Sequence, residues 1–345
     1  MRTIKILTAA LALASASTAF AQQQAVTVKA SPKDQKIDIM IGGKPFTTFN
    51  YPDSLEKPFL FPLNTAGGTT ITRGFPLATR KGDPTDHPHH IGLWFNHEGV
   101  NGLDFWNNSY AIPAAKKNKY GWIRTDKITE TKGGKTGIVA YHAKWHDQAK
   151  ETLLDENTRF EFSGTANERV IDRITTLTAA KEVNFTDNKD GVLGLRLAHE
   201  LQIPTKEDLK YTDDRGIETV VKGSDDKIAN GNYAASNGKY GNDVWSSRAD
   251  WCKVYAKMGN DSVSIAIIDH PKNPNYPTFW HARGYGLFAA NPLGEKVFTN
   301  GKSALNLKLK KGESITFSYR IVISNGKTTL SGAKVTALAA EFAKK

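Results

Sequence analysis

"ESITFSYRIVIS", Glu313–Ser324, places Ile315, Phe317, Tyr319, Ile321 and Ile323 on one parity and mostly polar residues on the other. A period of two puts alternate side chains on opposite faces, which is the mark of a half-buried β-strand. The same reading predicts strands at "KIDIMI" (Lys36–Ile41), "TGIVAYHAKW" (Thr136–Trp145), "TRFEFSGTA" (Thr158–Ala166) and "VIDRITTLTA" (Val170–Ala179). It extends to "GLRLAHELQI" (Gly194–Ile203), "CKVYAKM" (Cys252–Met258), "SVSIAIIDH" (Ser262–His270) and "SALNLKLKKG" (Ser303–Gly312). Turn chemistry at Gly133–Lys135, Met258–Ser262 and Lys310–Ser314 separates several of them, so neighbours are joined as hairpins. The fold class is therefore all-β: a large antiparallel β-sandwich rather than a parallel α/β sheet.

One helix stands out. "TTLSGAKVTALAAEFAKK", near residues 328–344, carries Val335, Leu338, Ala339 and Phe342 on one face, suited to covering the sandwich or one of its edges. The polar stretch Lys206–Asn242 reads as a long loop, either a wall of a binding site or a surface excursion.

Arg2 and Lys5, the apolar run at residues 6–16 and the small-x-small pattern at Ala19–Ala21 predict a signal peptide cleaved after Ala21. The expectation is a periplasmic or secreted protein with no transmembrane segment, and one domain over residues 22–345. Cys252 is the only cysteine, so no intrachain disulfide forms and a buried thiol is expected. The formal net charge of +11 is dispersed along the chain. It reads as a solvated basic surface, or as attraction to an acidic polymer such as an anionic polysaccharide; nucleic acid is not an expected partner.

Chemistry concentrates in "DHPHHIGLWFNHEGVNGLDFW", Asp86–Trp106. In extended backbone, His87 and His89 would point at one volume and could supply two nitrogens to a divalent metal ion, with His90 facing away. Asp86 could orient a ring, and Glu98 and Asp104 add carboxylates. In "NPNYPTFWHARGYGLFAANPLG" (Asn273–Gly294), His281 and Arg283 alternate with Trp280 and Ala282, so they share a face. Glu200 is a candidate general base or metal ligand, and equally a partner for Arg196. The expected catalytic set is His89, Glu200 and His281. Substrate binding would fall to Arg73, Arg283, Trp94, Trp106 and Trp280, with Trp245 and Trp251 as further aromatic faces. A site built on ordinary imidazoles would lose function near about pH 6–7.

Asp86–Trp106 together with "PTFWHARGYGLFAANPLG" (Pro277–Gly294) resembles a secreted bacterial PmoA-like family of unknown function, of the DUF6807 type and carrying a "methane oxygenase" label. That family looks related to the galactose-mutarotase-like β-supersandwich proteins. The resemblance implies a concave sheet face bearing the site and a saccharide or glycoside ligand. Three readings stand. The first is a periplasmic carbohydrate-active enzyme (hydrolase, lyase or epimerase) with a His-rich site, with or without one divalent metal ion. The second is a non-catalytic carbohydrate-binding protein. The third is the metal-dependent oxidoreductase that the PmoA-like label implies.

Overall fold

Two eight-stranded antiparallel sheets dominate the computed structural model, which describes residues 22–81, 83–212, 218–221 and 228–345. The leader read at residues 1–21 lies outside the described residues. One sheet joins, in spatial order, Val26–Ser31, Lys36–Ile41, Lys44–Asn50, Phe59–Leu63, Leu93–His97, Gly191–Arg196, Leu287–Asn291 and Phe279–Arg283. The other joins Asn232–Ala235, Trp251–Met258, Asp261–Asp269, Ser314–Gly326, Glu168–Ala179, Thr152–Gly164, Gly137–His146 and Trp122–Lys132. The antiparallel sandwich read from alternation is the observed architecture. No helix among the described residues is long and apolar enough to cross a membrane.

The alternation has a direct packing consequence. On Ser314–Gly326, Phe317, Tyr319, Ile321 and Ile323 enter the core between the sheets, whereas Val322 faces outward. Aromatic contacts link the two layers: Phe49 stacks on Tyr141 at 4.7 Å, and Phe95 meets Phe317 at 5.4 Å. The C-terminal helix, Gly332–Phe342, covers the outward face around Val322, Ala266 and Ile268. It buries Val335 and Phe342 there, with Leu338 and Ala339 partly buried, so all four residues of the expected face are used. Ser331 caps its start by accepting from Lys334 N at 3.2 Å. Val335→Ala removes two buried methyl groups and is expected to cost about 2 kcal/mol in urea unfolding. An unchanged midpoint would show that the helix rests loosely on the sheet.

Three expectations need correction. The strand at Gly194–Ile203 ends at Arg196; His199–Leu201 forms a single 3-10 turn instead. There Leu197 N donates to Gly286 O and Ala198 N to Ile71 O, which draws the chain off the ladder. Within Ser303–Gly312 only Lys308–Leu309 pairs, because the Asp187 carboxylate takes the backbone donors of Leu305 and Asn306 at 2.8 Å each. Lys206–Asn242 is not wholly loop: Leu209–Thr212 pairs with Glu218–Val221, and Asn232–Ala235 forms a sheet edge.

Candidate active site

The first sheet sorts its residues by parity. On Phe279–Arg283, Trp280 and Ala282 enter the core, which leaves His281 and Arg283 on the opposite face. On the neighbouring strands Trp94, Leu287 and Ala289 share that face and form an apolar floor with Trp106. Gly194 lies under this floor: a Cβ there would sit 2.4 Å from the Trp94 ring, so only glycine lets the indole lie flat on the sheet.

The histidine segment folds over the floor, but not as an extended strand. His87 takes a positive φ of 45°, and His90 N donates back to His87 O at 3.0 Å. The turn brings three imidazoles together, not two. His87 stacks on His90 at 4.8 Å, while His89 meets His87 edge-on at 5.5 Å and His90 at 4.3 Å. The stack continues below to Trp94 and above to Tyr285, each at 5.3–5.5 Å.

A buried clamp holds this turn. The Arg73 guanidinium donates to the carbonyls of Pro84, Asp86, His87 and His90 and to the Asp86 carboxylate. Arg196 donates to both Asp86 oxygens at 2.9–3.0 Å and to His90 Nδ1 at 3.1 Å. Burial, then the neighbouring Arg196, lowers the Arg73 pKa to about 9. Burial pushes Asp86 up, but Arg196, His87 and Arg73 outweigh it and hold the carboxyl well below the usual range. Burial also keeps His90 neutral, reinforced by the adjacent imidazoles and guanidinia. Because Arg196 can only donate, His90 Nδ1 is the acceptor and its proton sits on Nε2.

Beside this turn lies a carboxylate cluster set by strand register. Gly191 pairs with His97, so the residues just beyond, Asp190 and Glu98, come side by side, and Glu98 N donates to Asp190 O at 2.9 Å. Their carboxyls also share a hydrogen bond, which requires one proton between them. Burial, then the charges of Asp190 and Asp104, raises Glu98 to about 8. Burial raises Asp104 to about 6, although Asn107 donates to both its oxygens at 2.9 Å. Asp190 goes the other way: burial is outweighed by His281, by Lys189 at 2.5 Å and by His89. His281 Nδ1 donates to Lys189 O at 2.8 Å and lies 3.6 Å from Asp190 Oδ1, which leaves the Nε2 lone pair as acceptor. Burial lowers His281 to about 4, partly offset by Asp190.

The cluster adjoins a cleft of about 710 Å³ lined by His87, Ile203, Thr205, Glu207, Lys210, Trp245, Arg283 and Tyr285. His281 meets Trp245 edge-on at 4.7 Å, which joins the cluster to the cleft wall. Neither this cleft nor a larger groove of about 830 Å³ around Trp122, His146 and Lys144 is lined by Glu98, Asp190 or His281; the cleft reaches the cluster through Trp245.

The expected site residues thus divide. His87, His89, His281 and Arg283 gather around Asp190 and the cleft. Glu200 does not: it sits on the 3-10 turn and pairs with Arg80 at 3.1 Å. Arg73 is a clamp on the turn, with its donors spent on carbonyls and Asp86. Trp280 fills the core between the sheets, its Nε1 donating to Ala249 O at 3.0 Å. Trp94 and Trp106 are 0% exposed under His90 and offer no open ring face. Trp251 is covered by the C-terminal helix, donating to Thr336 at 3.1 Å. As expected, Cys252 is buried, which pushes its thiol well up. For the metal ion assigned to His87 and His89, no three His, Cys, Asp or Glu side chains among the described residues converge in ligand geometry, and His87 Nδ1 is engaged by Asp86. Sequence reasoning missed Asp190, Lys189 and Tyr285. The one signal for Asp190 was an acidic turn, "DNKDG" (Asp187–Gly191), leading into a strand.

Comparison with solved structures gives weak likenesses at low identity. A galactose mutarotase-like protein from Clostridium acetobutylicum is 11% identical, with a TM-score of 0.33 over 88% of this chain and 99% of that one. A putative aldose 1-epimerase from Escherichia coli K12 is 9% identical, with a TM-score of 0.31 over 88% and 99%. The GH36 alpha-galactosidase AgaB from Geobacillus stearothermophilus is 8% identical, with a TM-score of 0.33 over 88% of this chain; the chain spans only 41% of that enzyme. No curated protein matches the sequence. Residues 36–340 match the model of a family of unknown function, DUF6807.

Proposed function

The chain belongs to the DUF6807 family, whose function is unknown, and we propose from its site that it is an acid–base catalyst of proton transfer on a saccharide. The observation that carries this reading is the Glu98–Asp190 pair. Environment drives the two carboxyls apart, so that near neutral pH one is an acid and the other a base. His281, neutral and with Nε2 as acceptor, stands beside them as a second base.

In this scheme Asp190 takes a proton from a substrate carbon or hydroxyl, Glu98 gives one back, and the shared hydrogen bond then passes the proton from Asp190 to Glu98, which restores the starting state. With His281 as the base, donation by Glu98 leaves an imidazolium and a carboxylate, and proton exchange with water resets both. Direct contact between the carboxyls argues against hydrolysis by this pair, since glycosidases set theirs roughly 5–9.5 Å apart around the anomeric centre. Epimerisation or elimination fits better. The cleft supports a sugar through Trp245 and Tyr285, with polar donors between them, and its volume is in the range of small-molecule sites. The leader read at residues 1–21 supports work in the periplasm or outside the cell.

The pH profile tests the assignment. The competent state needs Glu98 protonated, which holds below about 8, and His281 neutral, which holds above about 4. Activity should therefore be broad between these limits. It should fall as pH rises through about 8 and as it falls through about 4. That differs from the loss near about pH 6–7 expected of unperturbed histidines. The measurement is NMR of aldoses and uronic acids in D₂O, following anomer or epimer exchange and C–H deuteration across pH 3–10, a window on the order of the site's titrations. A profile centred on an ordinary imidazole titration, or no exchange with any sugar, would sink this assignment.

A further inference from the structure

Arg283 differs from the other deeply set arginines. Arg73 and Arg196 meet Asp86, Arg173 meets Glu156 and Arg320 meets Asp172, each within 3.2 Å, and Arg169 donates to the carbonyls of Thr165 and Glu168. The Arg283 guanidinium is half-buried, yet among the described residues no carboxylate, carbonyl or hydroxyl accepts from it. What it touches is aromatic: it lies over the Trp245 ring at 4.6 Å and near Tyr285 at 5.9 Å. Rings against a guanidinium orient its plane and leave the N–H edge for a ligand. A cation partly withdrawn from water without an acceptor is costly, and a planar two-oxygen anion offsets that cost with paired charge-assisted bonds.

We propose that Arg283 is a carboxylate receptor, so that the ligand of the cleft is an acidic saccharide carrying a uronate-type group. This rests on the reading of the cleft as a saccharide site. Among the described residues that line the cleft, the charged side chains are Arg283, Lys210 and Glu207. Position agrees with the proposal. Arg283 and His281 are two apart on one strand face, roughly 7 Å, so a carboxylate held by Arg283 sets the adjoining ring carbons near the acid–base cluster. The backbone of Arg283 is fixed by Tyr233 OH, which donates to its carbonyl at 3.3 Å.

The test compares methyl glycosides of glucuronate, galacturonate and mannuronate with their neutral parents and with the 6-sulfates, by calorimetry and ligand-observed NMR. At least one uronide should bind the wild-type protein about 10–100-fold more tightly than its neutral parent, the scale of hydrogen bonds to a charged group. Arg283→Gln should erase that preference, and Arg283→Lys should keep only part of it, with thermal unfolding confirming that both variants fold. Equal affinity for uronide and parent, no uronide binding, or a preference that survives Arg283→Gln would overturn the proposal. So would sulfates binding as tightly as carboxylates, because the site would then be a general anion site. Glu98→Gln leaves Arg283 untouched and should retain the preference. Uronide preference without proton exchange in the wild type would uphold the ligand class and sink the catalytic reading. Exchange on a neutral aldose without uronide preference would do the reverse.

Discussion

Glu98→Gln is expected to lower the rate of proton exchange by about 10²–10⁴-fold while changing saccharide affinity only a few-fold. The amide keeps the shape of the side chain and can still donate to Asp190, so the strand register and the local packing should survive. It cannot release a proton to substrate. Its effect should therefore fall on kcat, and the alkaline limb near about 8 should disappear from whatever activity remains. Asp190→Asn is the companion variant. It removes the ionised partner that Lys189 and His281 stabilise, and it should also release Glu98 toward an ordinary carboxylate pKa, because the second-largest cause of the upward shift is gone. Full activity in Glu98→Gln would falsify the acid–base role of the pair, whatever the sugar proves to be.

The largest effect on stability is expected at Asp86. Its carboxylate is 0% exposed and lies between two guanidinia that are equally buried. Asp86→Ala would leave Arg73 and Arg196 facing each other in a dry interior with no anion between them. Removing one partner of a buried ionic group costs about 3–5 kcal/mol, and here two cations lose their counter-charge at once. Asp86→Asn should cost less, since it retains one accepting oxygen. The pH dependence has a definite sign. The folded-state pKa is depressed, so the contribution is fully present above the unfolded value of about 4 and fades as pH falls toward the folded one. The gap between wild type and Asp86→Ala in urea unfolding should accordingly narrow in acid. A loss under about 1 kcal/mol at neutral pH would mean that the clamp relaxes or takes up water.

These two positions also show how unevenly the site could be read from the chain. The parity of "FWHAR" (Phe279–Arg283) was legible: Trp280 and Ala282 inside, His281 and Arg283 on the other face. So was the importance of Asp86–Trp106. The local geometry of that segment was not. Alternation assumes extended backbone, and the positive φ at His87 gathers His87, His89 and His90 where extended geometry would have separated them. Arg73 and Trp94 had the right chemistry for a ligand site and the wrong surroundings, because residue type does not report which groups the rest of the chain will cover. Glu200 looked like a base on a strand; the strand stops at Arg196 because Leu197 and Ala198 bond to other segments.

What the sequence determined by itself is what depends on near neighbours. Period-two alternation and turn residues decided for antiparallel β structure, and a single apolar stripe decided for a helix over Gly332–Phe342. Strand parity decided that His281 and Arg283 lie on one side. Those outcomes follow from backbone geometry repeated over a few residues. Tertiary structure alone decided that Glu98 meets Asp190, that Asp86 binds both Arg73 and Arg196, and that Arg283 is left, among the described residues, with aromatic rings and no carboxylate. The pairing of Glu98 with Asp190 depends on the register Gly191↔His97 between segments far apart in the chain. The shifted pKa values depend on burial, and burial is a property of everything packed around a group rather than of the group or its neighbours in sequence.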